Sequence, residues 1–233
     1  MTNCDLHHSG RDVVKLVRGA DNATLTDCEI HHSGIRDASN AEGIDNVAAH
    51  YFTLQDSVIH DTPTDGVYVK GGARWCVIRH NRVYDIGGAG ISLGQTSGWD
   101  NFADVSQNPG WYENIDGVVR NNIVLSTGQS GIALIGALRP KVYNNTLIDV
   151  AQLGKAGIYI AETYQYPNDL GALVVLTREA EIKNNIVQVN SSQPVVWITQ
   201  YNVNATLTFD YNCYYHPDGP AKFQDEGASF YDG

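Results

Sequence analysis

A tyrosine, a lysine and an arginine stand close together in the run DGVYVKGGARW, at Tyr68, Lys70 and Arg74. Eliminative cleavage of an acidic sugar polymer needs three things: a cation for the carboxylate, a base for the proton beside it, and an acid for the departing glycosidic oxygen. Lysine serves as the base when burial or a nearby positive charge lowers its pKa; tyrosine serves as the acid, and arginine grips carboxylates through its planar fork. Lys70, Tyr68 and Arg74 are therefore the candidate catalytic residues. Corresponding positions in similar segments are Lys15, Asp45, Ser92, Ala133, Tyr159 and Val196. If all of these face solvent with Tyr68, then Lys15, Asp45, Ser92 and Tyr159 are candidate substrate contacts.

Two longer stretches could wall such a face. Residues 94–114 carry Trp99, Asp100, Asp104, Trp111, Tyr112 and Glu113, and residues 161–180 carry Glu162, Tyr164, Tyr166 and Asp169. Exposed rings stack on sugars, so Trp99, Trp111, Glu162 and Tyr164 join the candidate binding residues. The plainer alternative is that the rings only pack the loops onto the scaffold.

A second cluster recurs at a fixed offset. His7, His31, His60 and Tyr84 form one column and His8, His32, Asp61 and Asp85 the next, a face able to bind a metal or supply a general base. The alternative is a repeated turn sequence, since HHSG occurs twice. Calcium is the other ion to weigh, since it takes oxygen ligands, and Asp61, Asp65, Asp85 and His32, with Asp45, are the candidate ligands.

The element that positions all of these is a repeat. The segments LTDCEI, LQDSVI, IRHNRV, VRNNIV, VYNNTL, IKNNIV and FDYNCY align at their fourth positions, Cys28, Ser57, Asn81, Asn122, Asn145, Asn185 and Asn212, with Cys4 opening the series. The steps are 24, 29, 24, 41, 23, 40 and 27 residues, and the shortest is one coil of a parallel β-solenoid. Stacked about 4.8 Å apart, the asparagines can donate to one another; one buried alone would cost roughly 1 to 3 kcal/mol. A Gly-led strand follows in most copies, as in Gly66-Val67-Tyr68-Val69 and Gly90-Ile91-Ser92-Leu93, and Val13 and Pro194 replace the glycine elsewhere. Three short strands per coil make an all-β single domain over residues 1–233, of about eight coils with an internal Asn ladder.

This pattern resembles the right-handed parallel β-helix proteins of the pectate lyase-like superfamily, along nearly the whole chain. The family includes polysaccharide lyases and polygalacturonases, so the resemblance implies a secreted or cell-surface protein acting on polysaccharide. Lys70 to Gly94 looks like the alginate and chondroitin lyase group, in which a catalytic lysine on one coil is followed by an arginine on the next. Gly94 stands where that arginine would be. A lyase-like enzyme on uronate polymers is the leading expectation, with a non-catalytic glycan-binding or surface structural module as the alternative.

Acidic residues outnumber basic ones by 26 to 15, which disfavours nucleic acid and anionic membranes as partners. The opening MTNCDLHHSG lacks the basic and apolar regions of a signal peptide and enters the repeat in mid-coil. Neither end offers an obvious cap, so a fragment, or an oligomer covering the solenoid ends, is expected. A Cys4–Cys28 bridge is disfavoured by parallel side-chain vectors, and Cys76 and Cys213 are expected to be buried thiols.

Overall fold

The computed structural model describes every residue except 167–170, 190, 191, 203, 204, 227–230 and 233. Among the described residues, each coil gives one strand to each of three sheets. Strands before the ladder turn form a sheet of seven, from Thr24–Thr26 to Leu207–Asp210; those after it form a sheet of eight, from Asp5–His7 to Cys213–Tyr215. The main sheet runs from Val14–Leu16 through Ile44–Val47, Val67–Lys70, Ile91–Leu93, Ile132–Ile135 and Ile158–Ala161 to Val196–Ile198 and Lys222–Asp225, all parallel. A last strand, Tyr231–Asp232, pairs antiparallel at its end.

Alternation sends one residue of each short strand inward, and stacking turns these into continuous apolar columns. Leu25, Leu54, Ile78, Val119, Val142 and Ile182 form one, and Ile44, Val67, Ile91, Ile132 and Ile158 another, all inside a single core. The Asn column closes the turn between the first two sheets. Asn122 Nδ2 donates to Asn145 Oδ1 at 3.0 Å and to the Ile78 carbonyl at 3.0 Å. The same bonds repeat from Asn81 to Asn122, Asn145 to Asn185 and Asn185 to Asn212. Ser57 and Cys28 continue the column through backbone contacts only, Ser57 N–H donating to Asn81 Oδ1 and Cys28 N–H to Ser57 Oγ.

The residue before each ladder position lies in the left-handed region. Asn3, Asp27, Asp56, His80, Asn121, Asn144, Asn184 and Tyr211 have φ between 51° and 57°. Six of these eight are Asn or Asp, the non-glycine types that tolerate that region best, so the turn chooses its own residues. The column His8, His32, Asp61, Asp85, Ser126 and Asp149 repeats this, with φ between 50° and 57°. Part of the recurring His and Asp pattern is thus a backbone requirement.

Two details depart from expectation. The register pairs Gly157 with Val195 and Tyr159 with Trp197, so the outward residue of the seventh strand is Trp197 rather than Val196. Pro194 precedes the strand by one more residue than a leading glycine does. Cys76 is buried as expected, but Cys213 is exposed, because it takes an outward position in its strand; all four cysteines are free.

Candidate functional site

The main-sheet column comes out in the expected register: Lys15 pairs with Asp45, Asp45 with Tyr68, Tyr68 with Ser92, Ser92 with Ala133 and Ala133 with Tyr159. Its exposure does not. Asp45, Tyr68 and Ser92 are 1%, 4% and 0% exposed. They point outward from the core, but the loops beyond the strands close over them. The result is a floor with walls.

Two cavities adjoin along this floor. The first, about 410 Å³, is lined by Lys15, Arg18, Asp45, Tyr68 and Lys70, with Thr96, Ser97, Gly98, Asp100 and Asn101 of the loop above them. The second, about 480 Å³, is lined by Asp65, Ser92, Gln95, Lys155, Tyr159 and Glu162, among others. Thr96 borders both.

The wall between them is held by a residue whose role no local pattern reveals. Glu113 is fully buried; it accepts from Gly71 N–H at 2.8 Å, Ser97 N–H at 2.7 Å, Ser97 Oγ at 2.7 Å and Gln165 Nε2 at 2.5 Å. These donors come from three separate segments: the turn after Lys70, the first insertion, and the hairpin Thr163–Gln165/Leu173–Val175 within the second. Burial pushes its pKa up, against the pull of these hydrogen bonds. Arg18 fixes the far side of the loop, donating to the carbonyls of Asp100, at 3.1 Å, and Phe102.

In the first cavity, Lys15 binds Asp45 and sits 3.3 Å from Asp12 Oδ2. Asp12, Glu42 and Asp45 bring carboxylate oxygens within 4.8 Å of one another. Burial, and then the Asp12 carboxyl hydrogen-bonded beside it, push Glu42 up to about 8; burial also raises Asp45, against the nearby Lys15. One oxygen each of Glu42 and Asp45 has no hydrogen-bond partner. Tyr68 lies beside this group, and burial followed by the charges of Asp45, Glu42 and Asp12 holds its phenol protonated far above the usual range. Lys70 places its Nζ 4.3 Å from the Tyr68 ring centroid.

The second cavity repeats this arrangement. Lys155 Nζ lies 4.5 Å over the Tyr159 ring and 3.4 Å from its hydroxyl. Tyr159 is pushed up to about 12, by burial and then by Glu162 and Glu226. Glu162 accepts from Asn202 Nδ2 at 2.9 Å and from Thr199 Oγ1. Among the described residues, neither Lys70 nor Lys155 forms a salt bridge. Asp65 is half-buried, and desolvation of its carboxyl lifts it to about 6, against the hydrogen bond one oxygen accepts from Ala89 N–H at 2.8 Å.

Several predicted site residues fall elsewhere. Gly71 and Gly72 both have positive φ, 69° and 81°, and this turn carries Arg74 away from Lys70. Arg74 donates to the Gln107 carbonyl at 2.6 Å and lines a separate hollow with Trp75, Asp116 and Arg139. Trp111 packs against Phe102 at 5.2 Å inside its own loop, Trp99 is exposed in the 3-10 turn Trp99–Asn101, and Tyr164 packs edge-on to Tyr201; none lines either cavity. Asp169 lies outside the described residues. The four proposed metal ligands do not converge, since Asp65 faces the second cavity while His32, Asp61 and Asp85 occupy the left-handed column at the margin of another sheet. Gly94 has φ +90°, and a Cβ there would collide with the Ile135 carbonyl oxygen. No arginine fits at that position.

The chain is a right-handed parallel β-helix. A family model described as "Right handed beta helix region" matches residues 1–110, and no curated protein matches the sequence. Among solved structures, the periplasmic alginate epimerase AlgG is similar at 13% identity and a TM-score of 0.61, over 89% of this chain and 44% of its own. An alginate lyase from Paenibacillus sp. str. FPU-7 is similar at 16% identity and a TM-score of 0.58, over 95% of this chain and 78% of its own. The surface adhesin PfbA of Streptococcus pneumoniae reaches a TM-score of 0.50 at 9% identity, over 84% of this chain and 44% of its own. This chain thus spans less than half the length of the epimerase. At these identities the likeness is one of fold, and a fold shared by enzymes and an adhesin leaves function to the groove.

Proposed function

We propose that the groove binds an acidic, uronate-containing polysaccharide and cleaves it by elimination. One observation carries this reading: two lysine ammoniums without salt-bridge partners among the described residues, each over a tyrosine ring, one in each of two adjoining cavities. Tyr68 and Tyr159 are three strand spacings apart in one column, or about 14 Å, so the pairs are arranged for a repeating anionic chain. The overall charge of −11 would repel such a polymer; unpaired cations lining a cleft are what would draw it in.

Chemistry is assigned to the first cavity. Lys70, stacked on an aromatic face as a cation, neutralises the uronate carboxylate. Asp45, with one oxygen free of partners, accepts the proton from the carbon beside that carboxylate. Tyr68, held protonated, donates to the glycosidic oxygen as that bond breaks, leaving a carbon–carbon double bond in the product. Lysine thus moves from the base of the sequence reading to the carboxylate partner, and Arg74 leaves the site. A calcium ion, if used, would be held by Asp12, Glu42 and Asp45, a hard oxygen set with unpartnered atoms. The chemical class fits a secreted or surface setting, where such polymers occur.

The test is incubation with a panel of uronate polymers, with and without Ca²⁺, following absorbance from unsaturated products. Product from at least one polymer supports the enzyme reading. Binding without product leaves a glycan-binding module, and neither leaves a structural one.

A further inference from the structure

We propose that the histidines stacked on the first coils form a site for a transition-metal cation of the zinc, nickel or copper kind, held by ring nitrogens of His31, His32 and His60. It lies on the sheet that follows the ladder turn, apart from the polysaccharide groove.

The stacking is regular. His31 and His60 lie parallel with ring centroids 4.7 Å apart; Tyr84 continues the stack at 4.8 Å above His60, and His7 lies 5.0 Å below His31. Solenoid register alone explains parallel rings. It does not explain where their nitrogens point.

His31 Nε2 lies 3.0 Å from Asp5 Oδ1, and His60 Nε2 lies 3.0 Å from Glu29 Oε1. Each carboxylate sits one coil below its histidine, and its acceptor oxygen places the proton on Nε2. That is how outer carboxylates orient metal-binding imidazoles. It turns both Nδ1 atoms toward the same space. There His31 Nδ1 meets His32 Nδ1 at 2.5 Å, and His60 Nδ1 meets Asp61 Oδ2 at 2.6 Å. One ligand atom from each of His31, His32 and His60 lies within 4.8 Å of the others.

Nitrogen lone pairs this close, and a lone pair this close to a carboxylate oxygen, repel unless a proton lies between them; a metal ion takes the proton's place once the rings turn apart to about 3.3 Å, the spacing set by bonds of about 2.0–2.2 Å. Three imidazoles, with a fourth position open to water, match zinc and suit nickel and copper, whereas calcium prefers all-oxygen sets. The left-handed φ of His32, 52°, and of Asp61, 51°, brings each side chain back beside the histidine that precedes it, so each coil presents a two-donor clip. His7 and His8 repeat the clip one coil below, with Nδ1 atoms 2.6 Å apart.

The test is calorimetric titration of the full chain with Zn²⁺ alone, in buffer without chelator. The expected result is saturable binding that is lost in His32→Ala and weakened about tenfold or more in Glu29→Gln, which keeps every ligand but loses the orienting charge. Ca²⁺ should not compete, and Asp65→Asn, in the groove, should bind Zn²⁺ as wild type does. Circular dichroism of each variant identifies any that fails to fold, and His31→Asn, nearly isosteric, serves in place of a misfolded His32→Ala. No saturable Zn²⁺ binding by the wild type overturns the proposal, as does binding that survives both histidine substitutions in folded protein.

Discussion

Replacing Asn122 with leucine removes the middle rung of the ladder. Asn122 Oδ1 accepts from both the backbone N–H and the Nδ2 of Asn81 at 3.0 Å, and its own Nδ2 donates to Ile78 O and Asn145 Oδ1. Leucine ends all four bonds. Asn81 Nδ2 keeps Leu54 O at 3.1 Å, and Asn145 Oδ1 keeps the residue 122 N–H at 3.0 Å. The group left with nothing is the Asn81 N–H, deep in a turn where the side chain itself is 1% exposed, while the Ile78 carbonyl loses its side-chain donor and keeps its place in the strand ladder. At about 1–3 kcal/mol for an orphaned buried group, the expected loss is about 1–3 kcal/mol. Asn212→Leu strips the same bonds from Asn185 and the Ile182 carbonyl, but at a half-buried last rung where water can replace them, so the loss there should be only about 1 kcal/mol or less. Urea denaturation followed by circular dichroism reads both. An Asn122→Leu midpoint within error of wild type, or a larger loss at Asn212 than at Asn122, would refute the reasoning.

Three further outcomes are expected. Glu113→Ala orphans four buried donors, from three segments, and should cost about 2–4 kcal/mol while opening residues 94–114 to limited proteolysis; unchanged protease resistance would show that the loop is held by other contacts. Asp65, lifted by burial from 3.8 to about 6, contributes stability that is complete below pH 4 and lost as pH rises through 6. Asp65→Asn should therefore melt higher than wild type at pH 8 by the equivalent of about 2–3 kcal/mol and show no gain at pH 3.5; a uniform offset across pH would contradict this. Gly94→Ala, which pushes a methyl group into the Ile135 carbonyl at positive φ, should destabilise by more than about 1 kcal/mol in thermal melts.

The ladder was readable because asparagine recurs at one place in five successive coils, and the inward valines and isoleucines share that spacing. The column from Lys15 to Tyr159 followed from the pleat. Its burial did not, since what covers Tyr68 is a loop whose position depends on Glu113 and Arg18, and their partners are distant in sequence. Arg74 was misplaced for a local reason: a two-glycine turn reverses the face a side chain meets, and spacing alone counts residues without counting turns. The metal ligands were read as Asp61, Asp65 and Asp85 with His32, whereas the structure gathers Asp12 and Glu42 with Asp45 from neighbouring coils and gathers His32 with His31 and His60. Asp12 and Glu42 lie in the loops leading into their strands, so no strand periodicity marks them.

The groove as a site of uronate elimination is tested most directly by assaying wild type, Tyr68→Phe and Lys70→Ala on one uronate polymer, with product absorbance and polymer binding measured on the same samples. The account predicts product from wild type, a loss of about a hundredfold or more in Tyr68→Phe with binding retained, and loss of both product and binding in Lys70→Ala. Wild-type rates in folded Tyr68→Phe, or binding undiminished in Lys70→Ala, would contradict it.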